Sequence, residues 1–184
     1  MMIRAAQTPG LIIKSKQKVS TVSFPPDSSV TFVEELQSYP DHPDRFDVYQ
    51  LLCRTGLTGR CYWEVEWRGG VFISVSYRRI RRKGDSGDRW FGWNDQSWSL
   101  NCSDRHGYYV WHNNIGTSIS SSSVSNRVAV YVDCPAGILS FYRVSSDSLT
   151  HLHTFNTTFT EPLHPGFGVL WSSSGSSLFV MKHE

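Results

Sequence analysis

Arg60-Cys61-Tyr62-Trp63-Glu64-Val65-Glu66-Trp67-Arg68 alternates between apolar and charged residues from Trp63 onward. In an extended chain successive side chains point to opposite faces, so Trp63, Val65 and Trp67 share one face and Glu64, Glu66 and Arg68 the other. One face meets a core and the other meets water. Arg127-Val128-Ala129-Val130-Tyr131-Val132-Asp133 repeats the pattern with three valines. Cys134-Pro135-Ala136-Gly137 then reads as a hairpin turn into Ile138-Leu139-Ser140-Phe141-Tyr142, which predicts a local antiparallel pair.

Working outward, no window of a dozen residues places apolar side chains at i, i+3, i+4 and i+7, whereas short apolar runs broken by Gly, Pro, Asn and Ser recur. The class is all-β. Further strands are predicted at 30–33, 48–54, 71–77, 97–102, 108–112, 152–155, 166–171 and 177–181. Many short half-buried strands imply two antiparallel sheets packed face to face. Residues 78–95 and 113–126 read as long surface loops, the second because of Asn113, Asn114, Gly116 and the run Ser120 to Ser123. Loops of that length usually carry recognition. Residues 1–29 have weak patterning and read as a leader outside the domain.

The chain has 184 residues and a formal charge of +2. That is one domain of ordinary size, able to build a core without disulfides or metal. Apolar runs fall far below the roughly 18 residues needed to span a bilayer, and the N-terminal segment lacks a secretory signal, so a cytoplasmic or nuclear protein is expected. Five positive charges sit together at Arg78, Arg79, Arg81, Arg82 and Lys83. They exceed the net charge, so the rest of the chain is net acidic, which argues against a general nucleic-acid binder.

Several stretches invite chemical readings. Glu64 and Glu66 share a strand face with Cα atoms roughly 6.6 Å apart, near the carboxyl spacing of glycosidases, which makes a carbohydrate-active or carbohydrate-binding sandwich an alternative function. No third acid follows, because the next face-mate is Arg68, and surface or cross-strand ion pairing accounts for the two glutamates better. Arg78 to Lys83 supports a second alternative, nuclear targeting or nucleic-acid contact, against a solvated loop balanced by Asp85, Asp88 and Asp95. Gly84-Asp85-Ser86-Gly87 copies the start of a serine-protease nucleophile motif without its continuation. His151 and His153 share one strand face, but a metal site needs three or four ligands, and no metal or cofactor is expected. The cysteines at 53, 61, 102 and 134 form no Cys-x-x-Cys and read as small hydrophobes in a reducing compartment.

Leu57-Thr58-Gly59-Arg60-Cys61-Tyr62-Trp63-Glu64-Val65-Glu66-Trp67, Arg82-Lys83-Gly84, Gln96-Ser97-Trp98-Ser99-Leu100, Val130-Tyr131-Val132-Asp133 with Gly137-Ile138-Leu139-Ser140-Phe141-Tyr142, and Glu161-Pro162-Leu163-His164-Pro165-Gly166-Phe167 follow one another in order. Together they resemble a PRY/SPRY domain of the fish type. Such domains occur at the C-termini of tripartite-motif ubiquitin ligases, fish NACHT leucine-rich-repeat receptors and stonefish-type toxin subunits. The resemblance implies a bent, concanavalin-like sandwich with a PRY segment at 30–70 and a SPRY segment at 71–184. It also implies no catalytic activity, and binding of a protein target through loops at one edge, in an immune or ubiquitin-ligase setting. The chain departs from the family at 8–13 and at the 132–135 turn, where only a local change is expected.

Carried over position by position, the resemblance places a partner pocket at Tyr77, Arg78 and Arg79, at Tyr109, Trp111, His112 and Asn113, and at Trp171. These residue types suit the role, since buried aromatic and Arg anchors typically carry about 2 kcal/mol or more each in an interface. Trp63, Trp67 and Trp98 are expected in the core.

Overall fold

A computed structural model describes residues 42–146, 148–170 and 175–181, together with the backbone of three N-terminal strands. Those three are β1 (Met2–Arg4), β2 (Ile12–Lys14) and β3 (Ser28–Val33). The central strands are β4 (Gln50–Leu52), β5 (Arg60–Arg68), β6 (Gly70–Tyr77), β7 (Ser97–Ser103), β8 (Gly107–His112) and β9 (Ile115–Ile119). The chain continues through β10 (Arg127–Asp133), β11 (Ile138–Ser145), β12 (Ser148–Asn156), β13 (Leu163–Val169) and β14 (Ser177–Met181). The only helical element among the described residues is a single 3-10 turn at Gly87–Arg89.

Two antiparallel sheets result, one ordered β12-β11-β10-β5-β14-β3-β1-β2 and the other β4-β13-β6-β7-β8-β9. The alternation of β5 and β10 decides their orientation. Trp63, Val65, Trp67, Val128, Val130 and Val132 are buried, and they face Val71, Ile73, Val75, Trp98, Leu100 and Tyr108 of the six-stranded sheet in one core. The hairpin between β10 and β11 turns at Cys134–Gly137, with the Ala136 amide donating to Asp133 Oδ1 at 3.0 Å and Gly137 at φ +70°. Asp133 also accepts from Arg60 Nε at 2.8 Å, closing the turn onto β5.

Three sequence expectations are corrected. Residues 113–126 are not one loop: Asn113 and Asn114 have φ of +50° and +61°, which makes a two-residue type I′ hairpin from β8 into β9. Asn tolerates that left-handed geometry, so the pair that reads as a loop signal is a strand connector. The 78–95 segment lies on the surface only in part, because Ile80 and Phe91 are buried with Phe46, Val48, Leu52 and Phe72 in a second apolar cluster. Strand parity explains it: Phe72 points away from the main core, and the outer side of the six-stranded sheet needs its own cover. Finally, a β-bulge places His151 opposite Tyr142 and His153 opposite Phe141, so the two histidines lose the shared face that plain alternation predicts. The N-terminal stretch read as a leader contributes the backbone of β1 and β2 to the larger sheet.

Candidate functional site

On β8, Tyr108 and Val110 point into the core, which leaves Tyr109 and Trp111 on the outer face of the six-stranded sheet. Their neighbours in register are small or polar: Ser99 and Gly116 flank Trp111, and Asn101 and Ser118 flank Tyr109. Gly116 is required, since a Cβ there would lie 2.6–2.7 Å from the Trp111 ring. Above this floor stands Trp93, stacked on Trp111 with ring centroids 5.5 Å apart and planes at 19°. Trp93 is 41% exposed.

The loop that presents Trp93 is held by hydrogen bonds. The Asn94 side-chain amide donates to the carbonyls of Asp88 (2.7 Å) and Trp90 (2.9 Å), while its Oδ1 accepts from the Gln96 amide and the Ser97 hydroxyl. The hairpin amides of Asn113 and Asn114 donate in turn to the carbonyls of Asn94 (2.9 Å) and Gly92 (3.0 Å). Phe91 anchors the loop from below, packed edge-on against Phe46 and Phe72.

A cavity of about 210 Å³ lies here, lined by Phe72, Trp90, Phe91, Trp93, Trp111 and Leu170. It shares Asn101, Trp111 and Leu170 with a wider depression of about 810 Å³ that reaches Arg68, Arg105, His106 and Tyr109. Neither Arg68 nor Arg105 has a carboxylate partner among the described residues, and Asp104 is the sole described carboxylate on the wall. An aromatic slot thus opens into a shallow, positively biased trough, an arrangement suited to holding an extended surface rather than enclosing a small molecule.

Residues 60–182 match the SPRY domain. The chain belongs to the SPRY family. Neoverrucotoxin subunit alpha of Synanceia verrucosa is 45% identical over 133 residues, covering 71% of this chain and 19% of that subunit. Tripartite motif-containing protein 16 of Mus musculus is 36% identical over 132 residues, covering 70% of this chain and 23% of that protein. The solved TRIM65 PSpry domain superposes with a TM-score of 0.73 at 25% identity, over 84% of this chain and 80% of that one. This chain therefore spans about a fifth of the length of the curated relatives it matches. SPRY domains are commonly protein-interaction modules.

Within this SPRY sandwich the residues singled out from the sequence separate. Tyr109 and Trp111 line the groove. Tyr77 is only 4% exposed, packed edge-on against Trp98, with its hydroxyl accepting from the Thr160 amide at 3.1 Å. His112 lies flat on Trp98 at 4.6 Å and donates Nδ1–H to the Ser97 carbonyl at 2.8 Å. Tyr77 and His112 thus pack around Trp98, on the inner side of the sheet. Arg79 pairs with Glu161 and sits over the Tyr77 ring, whereas Arg78 is exposed and accepts at its carbonyl from Arg82. Asn113 occupies the hairpin turn, and Trp171 lies outside the described residues. Trp93, Arg68 and Arg105 were not singled out. For Trp93 a signal exists, the cluster Trp90-Phe91-Gly92-Trp93 inside an otherwise polar stretch.

The other readings find structural uses for their residues. Glu64 and Glu66 both pair with Arg127, at 3.5 and 3.0 Å, and the Tyr62 hydroxyl donates to Glu64 at 2.9 Å. Burial and that bond push the Tyr62 hydroxyl up to about 12. In the basic run Arg81 pairs with Asp88, and Arg82 donates to the Asp44 carbonyl while covering the Phe46 ring. Among the described residues no group of three or more His, Cys, Asp or Glu side chains is placed to hold a metal ion. No helix among them is long and apolar enough to cross a membrane.

Proposed function

We propose that this SPRY domain is a non-enzymatic recognition module that holds a segment of a protein partner in the outer-face groove. The bound segment lays an apolar side chain against the Trp93–Trp111 pair and a carboxylate toward Arg68 and Arg105. The single observation that carries this is the stacked, partly exposed indole pair at the head of a groove whose two arginines lack a described carboxylate partner. One exposed and one half-buried indole held rigidly together are the composition of an interface hot spot, with large contact area and few rotors to freeze. The tripartite-motif and toxin relatives support a recognition role in larger chains, and by the first of these an immune or ubiquitin-ligase setting. The free cysteines suit the reducing cytoplasm or nucleus.

The test is selection of a random-peptide library on the domain, followed by titration of the recovered peptide against Trp93→Ala, Trp111→Ala and Arg105→Glu. Each indole truncation is expected to weaken binding by about thirtyfold or more, the size of a hot-spot loss of about 2 kcal/mol. Arg105→Glu is expected to act mainly on the association rate and its salt dependence. Folded variants that bind as tightly as the original domain refute the assignment.

A further inference from the structure

Strand β9 forms one margin of the six-stranded sheet and, among the described residues, pairs only with β8. Its sequence, Ile115-Gly116-Thr117-Ser118-Ile119, follows the same pattern in both directions: a β-branched apolar residue, a small residue, threonine, a small residue, a β-branched apolar residue. From Asn113 to Asn126 there is no charged residue and no proline. Ile115 is 69% exposed. Natural sheets blunt exposed margins with charge, proline, bulges or a covering segment. One margin of the other sheet, β12, carries a bulge, whereas the β8–β9 register runs without a shift.

The hairpin fixes which backbone groups of β9 face outward. In a two-residue hairpin the residues flanking the turn, here His112 and Ile115, exchange both of their hydrogen bonds. Alternation then turns the backbone groups of Ile115, Thr117 and Ile119 toward β8. Those of Gly116 and Ser118 point away from the sheet, two N–H donors and two C=O acceptors in all.

We propose that this margin pairs with the β9 of a second copy of the chain, antiparallel, about a two-fold axis through Thr117. That register sets Gly116 opposite Ser118 of the second copy, twice over, and so satisfies all four outward groups of each copy with four hydrogen bonds. Ile115 falls opposite Ile119 of the second copy, and Thr117 opposite its own counterpart with Cα atoms about 4.5 Å apart. A two-fold of this kind is closed and isologous, so it stops at two chains. The six-stranded sheets merge into one sheet of twelve. The axis is perpendicular to the sheet, so both grooves open on the same side. The two β8 strands lie three strand spacings apart, about 14 Å. The proposal is independent of what the groove binds.

The test is sedimentation velocity over a dilution series of the whole chain, with Thr117→Lys and Thr117→Glu prepared separately and mixed. Thr117 is exposed, and circular dichroism establishes that each variant is folded. The original chain is expected to move with concentration from 21.0 kDa toward twice that mass. Each variant sets like charges directly opposite each other and is expected to associate at least about tenfold more weakly, whereas the equimolar mixture regains the dimer through a Lys–Glu pair. Ser118→Pro, which removes one outward N–H, is expected to weaken association too. A single 21.0 kDa species at every concentration overturns the proposal. So does a dimer that survives both charged variants, or growth into open-ended polymers.

Discussion

Phe91 and Gly166 test whether the outer apolar cluster is part of one cooperative unit with the main core. The Phe91 ring is buried and packs edge-on against Phe46 and Phe72 at 5.6 and 6.0 Å. Removing a ring from such a site costs about 3–5 kcal/mol, because the transfer loss is joined by the cavity left behind. Gly166 of β13 lies directly beneath. A Cβ added there would meet three atoms of the Phe91 ring at 2.6, 2.7 and 3.3 Å, and its backbone is not in the left-handed region. Gly166→Ala alone must therefore push the ring out of place, an overpacking cost of about 1–3 kcal/mol. With Phe91→Ala already present the obstruction is gone, and the added methyl is expected to be neutral or slightly favourable. The double variant is thus predicted to be clearly less destabilised than the sum of the two single variants. Urea unfolding of the four proteins measures it, with the slope of the transition checking that a single cooperative step is preserved. Strict additivity would refute the packing argument. A Phe91→Ala cost below about 1 kcal/mol would show that the Trp93 loop docks without contributing to global stability.

Two further predictions concern the frame. Gly137→Ala is expected to destabilise by more than the roughly 1–2 kcal/mol of a left-handed non-glycine residue, because its Cβ would overlap the Thr157 carbonyl oxygen at 1.6 Å; unfolding midpoints unchanged from the original would refute this. Burial pushes the His164 imidazole below its ordinary value of 6.5, so on acidification the unfolded chain takes up the proton first. Stability from this group is complete above pH 6.5 and is lost as pH falls through the lower folded value. His153 is shifted the same way by burial and the nearby His151, so His164→Gln is expected to reduce the slope of stability against pH below about 6.5 without abolishing it, as read from melting temperatures in graded buffers.

The sandwich was legible wherever one face of a strand is wet. Trp63, Val65 and Trp67 alternate with charged residues, and the core follows from parity alone. Legibility failed where both faces are covered or the turn chemistry is ambiguous. Tyr108-Tyr109-Val110-Trp111-His112 contains no charged residue to say which set looks outward, although parity alone puts His112 on the face opposite Tyr109 and Trp111. Tyr77 ends a strand buried along its whole length, where exposure cannot be read from alternation. The aromatic cluster at 90–93 interrupts a run of charges and glycines, and only the outward-facing Phe72 explains why a loop would bury a phenylalanine. The bulge that separates His151 from His153 leaves no sequence mark, since an inserted residue looks like any other.

Gly116 leaves room for the Trp111 indole on one side, and Trp93 covers the other through a loop tied down by Asn94. On the proposed reading the pair therefore already stands in its binding pose before a partner arrives. Little rotational freedom remains to be surrendered on contact, so contact area there converts into affinity more fully than the same aromatic area on a floppy loop would. If the groove binds as proposed, selection can alter what is gripped by changing the trough walls at Arg68 and Arg105, while the indole pair itself stays as it is.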